Sequence, residues 1–145
     1  MTHRLRDHTA DVAVEATADT LAAVFADIAS GLTEAMCEDP PAGGDRFTME
    51  ITAESGEAAL FDYLDRLIYE RDVRGVLPVD HDCQVRPAAT DAPDHDADDT
   101  WTVEASARGV PLRDVAARDV KAVTYSEMVL EQRGTEWYAY VVFDV

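Results

Sequence analysis

Residues 21 to 36 constrain this chain more than any other stretch. Leu21, Val24, Phe25, Ile28, Leu32 and Met36 recur at helical spacing, and alanines at 22, 23, 26, 29 and 35 widen the apolar arc. A helix apolar on most sides must be buried on more than one side. The fold therefore has to supply two walls for it. Asp19 or Thr20 is placed to cap its start, and Asp39-Pro40-Pro41 with Gly43-Gly44 ends it.

The walls are legible as alternating runs. Residues 3 to 6 and 12 to 18 read as strands, the second through Val12, Val14 and Ala16. Phe47, Met49, Ile51 and Ala53 mark a third, and Leu77, Val79, His81, Cys83 and Val85 a fourth. Trp101, Val103, Ala105 and Ala107 mark a fifth, with Gly109-Val110-Pro111 expected to break it before a short irregular segment to Arg118. Residues 119 to 131 and 135 to 144 read as two long strands joined at Arg133-Gly134. Ser55 is expected to cap a second helix running to about Asp72. Leu60, Phe61, Leu64, Leu67 and Ile68 form its buried stripe, and Asp62, Asp65, Arg66, Glu70 and Arg71 fall mostly on the other face. Seven strands and two helices with short late connections give an α+β domain over residues 1–145, with strands largely antiparallel.

Charge says more about solvent than about partner. The net charge is -18, and of 12 basic residues Lys121 is the one lysine. Such a surface suits high salt, where screening tolerates carboxylates that would otherwise repel. It argues against direct binding of a phosphate backbone, which needs a basic face. Cys37 and Cys83 lack metal or redox spacing and read as small apolar side chains. With no basic-then-apolar leader and no apolar run near 18 residues, the expectation is a cytoplasmic protein away from membranes.

Chemistry gathers in few places. Asp7-His8-Thr9-Ala10-Asp11-Val12 puts two carboxylates, an imidazole and a hydroxyl at the mouth of a strand, although Asp and Thr in a turn need no further role. Lys121 remains where composition has removed every other lysine, and its compact charge on a flexible stem does what an arginine fork does not. The chain ends on Asp144-Val145, so a side-chain carboxylate stands beside the α-carboxylate. If Asp11 joined them, three carboxylates would repel unless a cation lay between, and hard oxygen donors suit Ca2+, or Mg2+ with more water retained. The acidic stretch 87 to 99 lacks the glycine and distal Glu of a calcium loop and reads as an exposed hairpin loop. No phosphate-binding glycine loop, nucleophile elbow or HExxH motif is present, so no self-contained catalytic apparatus is expected.

His8-Thr9-Ala10-Asp11-Val12, the helix ending near Met36, the run Ala59-Leu60-Phe61-Asp62-Tyr63-Leu64-Asp65-Arg66-Leu67-Ile68-Tyr69, then Lys121-Ala122-Val123-Thr124-Tyr125 and the terminal Asp144-Val145 together resemble the archease family over essentially the whole chain. The composition suggests a haloarchaeal member. The resemblance implies two largely antiparallel sheets with both helices packed between them, a three-layer sandwich. It implies a non-catalytic cofactor that promotes guanylylation and turnover of the RtcB-type tRNA-splicing ligase. A second role associated with the family is chaperone-like modulation of a tRNA cytosine-5 methyltransferase. By motif, the family's calcium ligands fall on Asp11, Asp144 and Val145, with Mg2+ or another divalent cation as an alternative. Its ligase-activating residues fall on Asp11, Lys121 and Asp144. Many members carry His after the Lys-Ala-Val-Thr-Tyr run, where this chain has Ser126.

Overall fold

A computed structural model describes the backbone of residues 2–7 and the full residues 11–88 and 100–145. The order is β1 (Thr2–Asp7), β2 (Asp11–Ala18), α1 (Leu21–Met36), β3 (Asp45–Ala53), α2 (Gly56–Arg74), β4 (Val76–Arg86), β5 (Trp101–Pro111), a short 3-10 turn, β6 (Ala122–Arg133) and β7 (Glu136–Asp144). Two sheets form, one in the order β1-β2-β7-β6 and one in the order β3-β5-β4. Every pairing is antiparallel. Both helices pack against both sheets, which completes the expected three-layer α+β sandwich.

The first helix has the expected bounds. Thr20 caps it, its hydroxyl accepting from the Ala23 N–H at 3.1 Å. Val24, Phe25, Ile28 and Leu32 are buried, as the wide arc required. Gly31 lets α1 approach the first sheet closely, because a Cβ there would lie 2.3 Å from Cγ1 of Val14. Ser55 caps α2, accepting from the Ala58 N–H at 3.1 Å. The helix runs past Asp72 to Arg74 and closes on Gly75 in the left-handed conformation at φ 65°.

Three local expectations need correcting. The fifth strand does not break at Gly109: it continues to Pro111, with Gly109 paired to both Asp45 and Pro78. Gly109 is there because Val76 crowds it, a Cβ meeting Val76 Cγ2 at 2.9 Å. The sixth strand begins at Ala122 and not at residue 119. Residues 115–121 form a strap instead, with the Arg118 N–H donating to the Met36 carbonyl at 2.7 Å. Glu70 and Arg71 are buried and do not join the solvent face of α2. Arg71 lies three, four and seven residues after Ile68, Leu67 and Leu64, so helical geometry carries it into their stripe. The arginine donates from Nη1 to the Val120 carbonyl at 2.7 Å and reaches Asp119 at 3.4 Å. Glu70 is bracketed by Arg66 at 2.7 Å and Arg74 at 2.6 Å, each four residues away. These arginines hold its carboxyl below the usual range although burial pulls the other way.

The expected acidic loop lies between the paired strands β4 and β5, and its residues 89–99 fall outside the described residues. Among the described residues no helix is long and apolar enough to cross a membrane.

Candidate functional site

The site is built where three strand ends of the first sheet come into line. β2 begins at Asp11 and β7 ends at Asp144, and these two residues are direct cross-strand partners. β6 begins at Ala122, which pairs with Asp144 from the other side. The Lys121 N–H donates to the Asp144 carbonyl at 2.8 Å, so the lysine is fastened by its backbone to the same strand end. β2 and β7 are thus brought together by register, with Lys121 at the end of the strap fastened beside them.

The alternation of β2 and β7 fixes which way the carboxylates face. Val12 and Phe143, the next pair inward, are 2% and 0% exposed and belong to the core between the sheets. Their neighbours Asp11 and Asp144 therefore project from the opposite face of the sheet, side by side. Directly opposed side chains in an antiparallel pair have Cβ atoms about 5 Å apart, and like charges in that relation destabilise the pair. Asp144 is exposed, Asp11 is half-buried, and Oδ1 of Asp11 is shielded from solvent. Val145 is half-buried against the core, which fixes the chain end beside Asp144. Lys121 is exposed.

The side-chain donors that register places together at this tip are the carboxylate oxygens of Asp11 and Asp144. Among the described residues no three His, Cys, Asp or Glu side chains gather as metal ligands. Two side chains, Asp11 and Asp144, are brought together, and the third donor implied by the resemblance is the main-chain carboxylate of Val145. That set of hard oxygens fits a calcium-like cation. His8, Thr9 and Ala10 of the opening motif lie outside the described residues.

The strap before Lys121 depends on a residue that sequence reasoning set on the wrong face. Arg71 Nη1 holds the Val120 carbonyl and lies 3.5 Å from the Met36 sulfur, tying the strap to α2 and to the end of α1. Val120 itself is fully buried. Arg71 therefore ties down the strap that ends at Lys121. The signal lies in the helical spacing from Leu64, which outweighs the expectation that a charged side chain faces solvent.

Ser126, where many members carry His, lies in an interruption of β6. Between Thr124, paired with Val142, and Val129, paired with Tyr140, residues 125–128 face a single residue of β7. Ser126 donates its N–H to Thr124 Oγ1 at 3.2 Å, and Glu127 takes a left-handed φ of 58°. The other residues weighed from sequence behave structurally. The His81 ring is half-buried against Thr33 of α1, and burial pushes the Cys83 thiol up to about 12.

The sequence model of the archease protein family matches residues 3–145. The archease of Methanopyrus kandleri is 29% identical over 144 residues, covering 96% of each chain. The archease of Pyrococcus furiosus is 24% identical, covering 96% of this chain and 95% of its own. The solution structure of Methanobacterium thermoautotrophicum protein 1598 superposes with a TM-score of 0.75 at 26% identity, covering 99% of this chain and 98% of that one. The crystal structure of a Thermotoga maritima archease, described as a possible chaperone, superposes with a TM-score of 0.58 at 20% identity, covering 99% and 100% of the two chains.

Proposed function

The chain belongs to the archease family, and on that premise we propose that it is a non-catalytic cofactor of an RtcB-type tRNA-splicing ligase. It raises the rate of ligase guanylylation and restores turnover. Asp11, Asp144 and the α-carboxylate of Val145 would hold a divalent cation, Ca2+ first, and Lys121 acts beside them. The observation that carries this reading is the direct pairing of Asp11 with Asp144 at an end of the sheet where β6 also begins.

A bound cation would neutralise two opposed carboxylates and offer a Lewis-acidic charge near a phosphate. The chain's own residues set the geometry. The pairing of β2 with β7 orients the carboxylates, and Lys121 is fixed to Asp144 through its backbone. Arg71 holds the strap that delivers it. Catalysis of guanylyl transfer is largely positioning and charge stabilisation, so a rigid charged tip entering the ligase near its nucleotide can accelerate the step without supplying a nucleophile.

The test is a pair of substitutions, Asp11→Ala and Asp144→Ala, with two readouts. Calorimetric titration with CaCl2 should lose its binding heat, and ligase guanylylation should fall to the rate without cofactor. Retained stimulation in folded variants would contradict the reading. The second reading is chaperone-like modulation of a tRNA cytosine-5 methyltransferase, and the description of the Thermotoga relative as a possible chaperone favours it. That role needs a broad surface and survives both substitutions.

A further inference from the structure

The helix α2 buries one side and leaves another uncovered. Asp62, Asp65, Tyr69 and Val73 follow one another at helical spacing along its outward side, and all four are exposed. Tyr69 and Val73 are 57% and 63% exposed. The remaining large apolar side chain exposed among the described residues is Tyr125, at 55%, and it reaches the same helix. Its ring stacks on Phe61 with centroids 4.1 Å apart and planes 5° from parallel. The interruption of β6 makes this possible, since Tyr125 is the first of the residues released from pairing with β7.

Tyr69 and Val73 lie one turn apart toward one end of an acidic stripe, and Tyr125 stands on Phe61 at its other end, with roughly 18 Å of helix from Phe61 to Val73. Scattered single exposures are ordinary, but the three large apolar groups exposed among the described residues all lie along this one helix, which is what an extended interaction surface offers. The basic groups on the flank of α2 do not neutralise it: Arg66 and Arg74 are both drawn to Glu70. Partial burial first, and then the neighbouring charge of Asp65, raise the carboxyl pKa of Asp62.

We propose that this face of α2, with Tyr125, docks an arginine-bearing basic surface of the protein partner. Guanidinium groups match it in both respects. They stack on exposed tyrosine faces and bond carboxylates through a planar fork. The assignment rests on the ligase reading, because an enzyme that handles RNA must carry a basic surface. The stripe shares no residue with the carboxylate tip: Asp62, Asp65, Tyr69, Val73 and Tyr125 are distinct from Asp11, Lys121, Asp144 and Val145. The tip acts on the guanylylation step, and the α2 face sets affinity.

The experiment is a fluorescence-anisotropy titration of labelled full-length protein with the organism's own RtcB-type ligase, alongside guanylylation rates. Two variants carry the test, Asp62→Lys with Asp65→Lys, and Tyr69→Ser with Val73→Ser. Each should weaken the ligase Kd by about tenfold or more, as loss of interface anchors does, with circular dichroism confirming the fold. The charge control is Glu50→Lys, on an exposed position of β3 in the other sheet, and it should stay within about twofold of the wild type. Wild-type affinity in both double variants, with stimulation intact, overturns the docking assignment and leaves the ligase reading standing. Equal weakening by Glu50→Lys makes the effect one of net charge and overturns it too. A dimer in sedimentation that the double variants dissociate would make the face a self-contact and overturn the partner assignment. Failure of the wild type to bind or stimulate the ligase overturns the ligase reading itself.

Discussion

Strands β4 and β6 are each interrupted, and each places a non-glycine residue in the left-handed region, Asp80 at φ 55° and Glu127 at φ 58°. The two are held very differently. In β4, two residues, Asp80 and His81, face one residue of β5. Arg46 clasps Asp80 through both its carbonyl at 2.9 Å and its carboxylate at 2.7 Å. Beneath, the Thr33 hydroxyl donates to the Pro78 carbonyl at 2.7 Å, which leaves it to accept from Nε2–H of His81 at 2.7 Å. In β6, four residues face one, all of 125–127 are exposed, and the hydrogen bond there is Ser126 N–H to Thr124 Oγ1. The first interruption closes the sheet onto α1. The second presents side chains: Tyr125 over α2 and Ser126 toward solvent. The first irregularity is locked from below, and the second is left open to solvent.

Acid should separate the two first. Burial pushes the His81 pKa down to about 4 against the charge of Asp80, and protonating its buried Nδ1 would bury a further N–H. A folded pKa below the unfolded 6.5 means that the stabilisation is complete above pH 6.5 and is lost as pH falls toward 4. The loss is at most about 3 kcal/mol. Urea unfolding across that range should show the slope in the wild type and a much flatter line in His81→Gln.

Thr33→Val should cost about 2 kcal/mol, because it removes the hydroxyl that bonds both the Pro78 carbonyl and the His81 ring. Equilibrium unfolding reads this directly, and an unchanged midpoint would mean the lock under β4 bears no strain.

The glycine pair is the sharper comparison. Glu127→Gly relieves a left-handed side chain that makes no clasp and should raise stability by about 1 kcal/mol. Asp80→Gly gains the same relief but loses the carboxylate contact to Arg46, so its melting temperature should move less. Equal shifts would erase the distinction between the two interruptions. Smallest of all, Ser126→His sits on an exposed position and should alter stability by less than about 0.5 kcal/mol. Any change it makes belongs to the guanylylation rate.

The elements set by local period were readable from the chain. The helix over Leu21–Met36 and its two-sided burial follow from spacing alone, and they demand the two sheets that flank it. What local period cannot carry is long-range register. Asp11 and Asp144 stand at opposite ends of the chain, and their meeting depends on Val12, Val14 and Ala16 sharing an inward face with Ala139, Val141 and Phe143. The motif resemblance named these residues, and the pairing supplies their physical relation. Residue type misled where geometry did not: Glu70 and Arg71 were set outside because they are charged, although their partners Arg66, Arg74 and the Val120 carbonyl satisfy them inside. The interruption of β6 had a faint signal in Ser126-Glu127, where a charged residue falls on the inward phase set by Val123 and Val129.

The most direct test of the central claim is a time course of covalent guanylate on the RtcB-type ligase. The wild-type protein, present at well below the ligase concentration with GTP and metal, should accelerate guanylylation over many turnovers. Asp144→Asn should bring the rate back to that of the ligase alone while leaving the fold intact. A wild-type protein without effect, or an Asp144→Asn protein as effective as the wild type, would contradict the account.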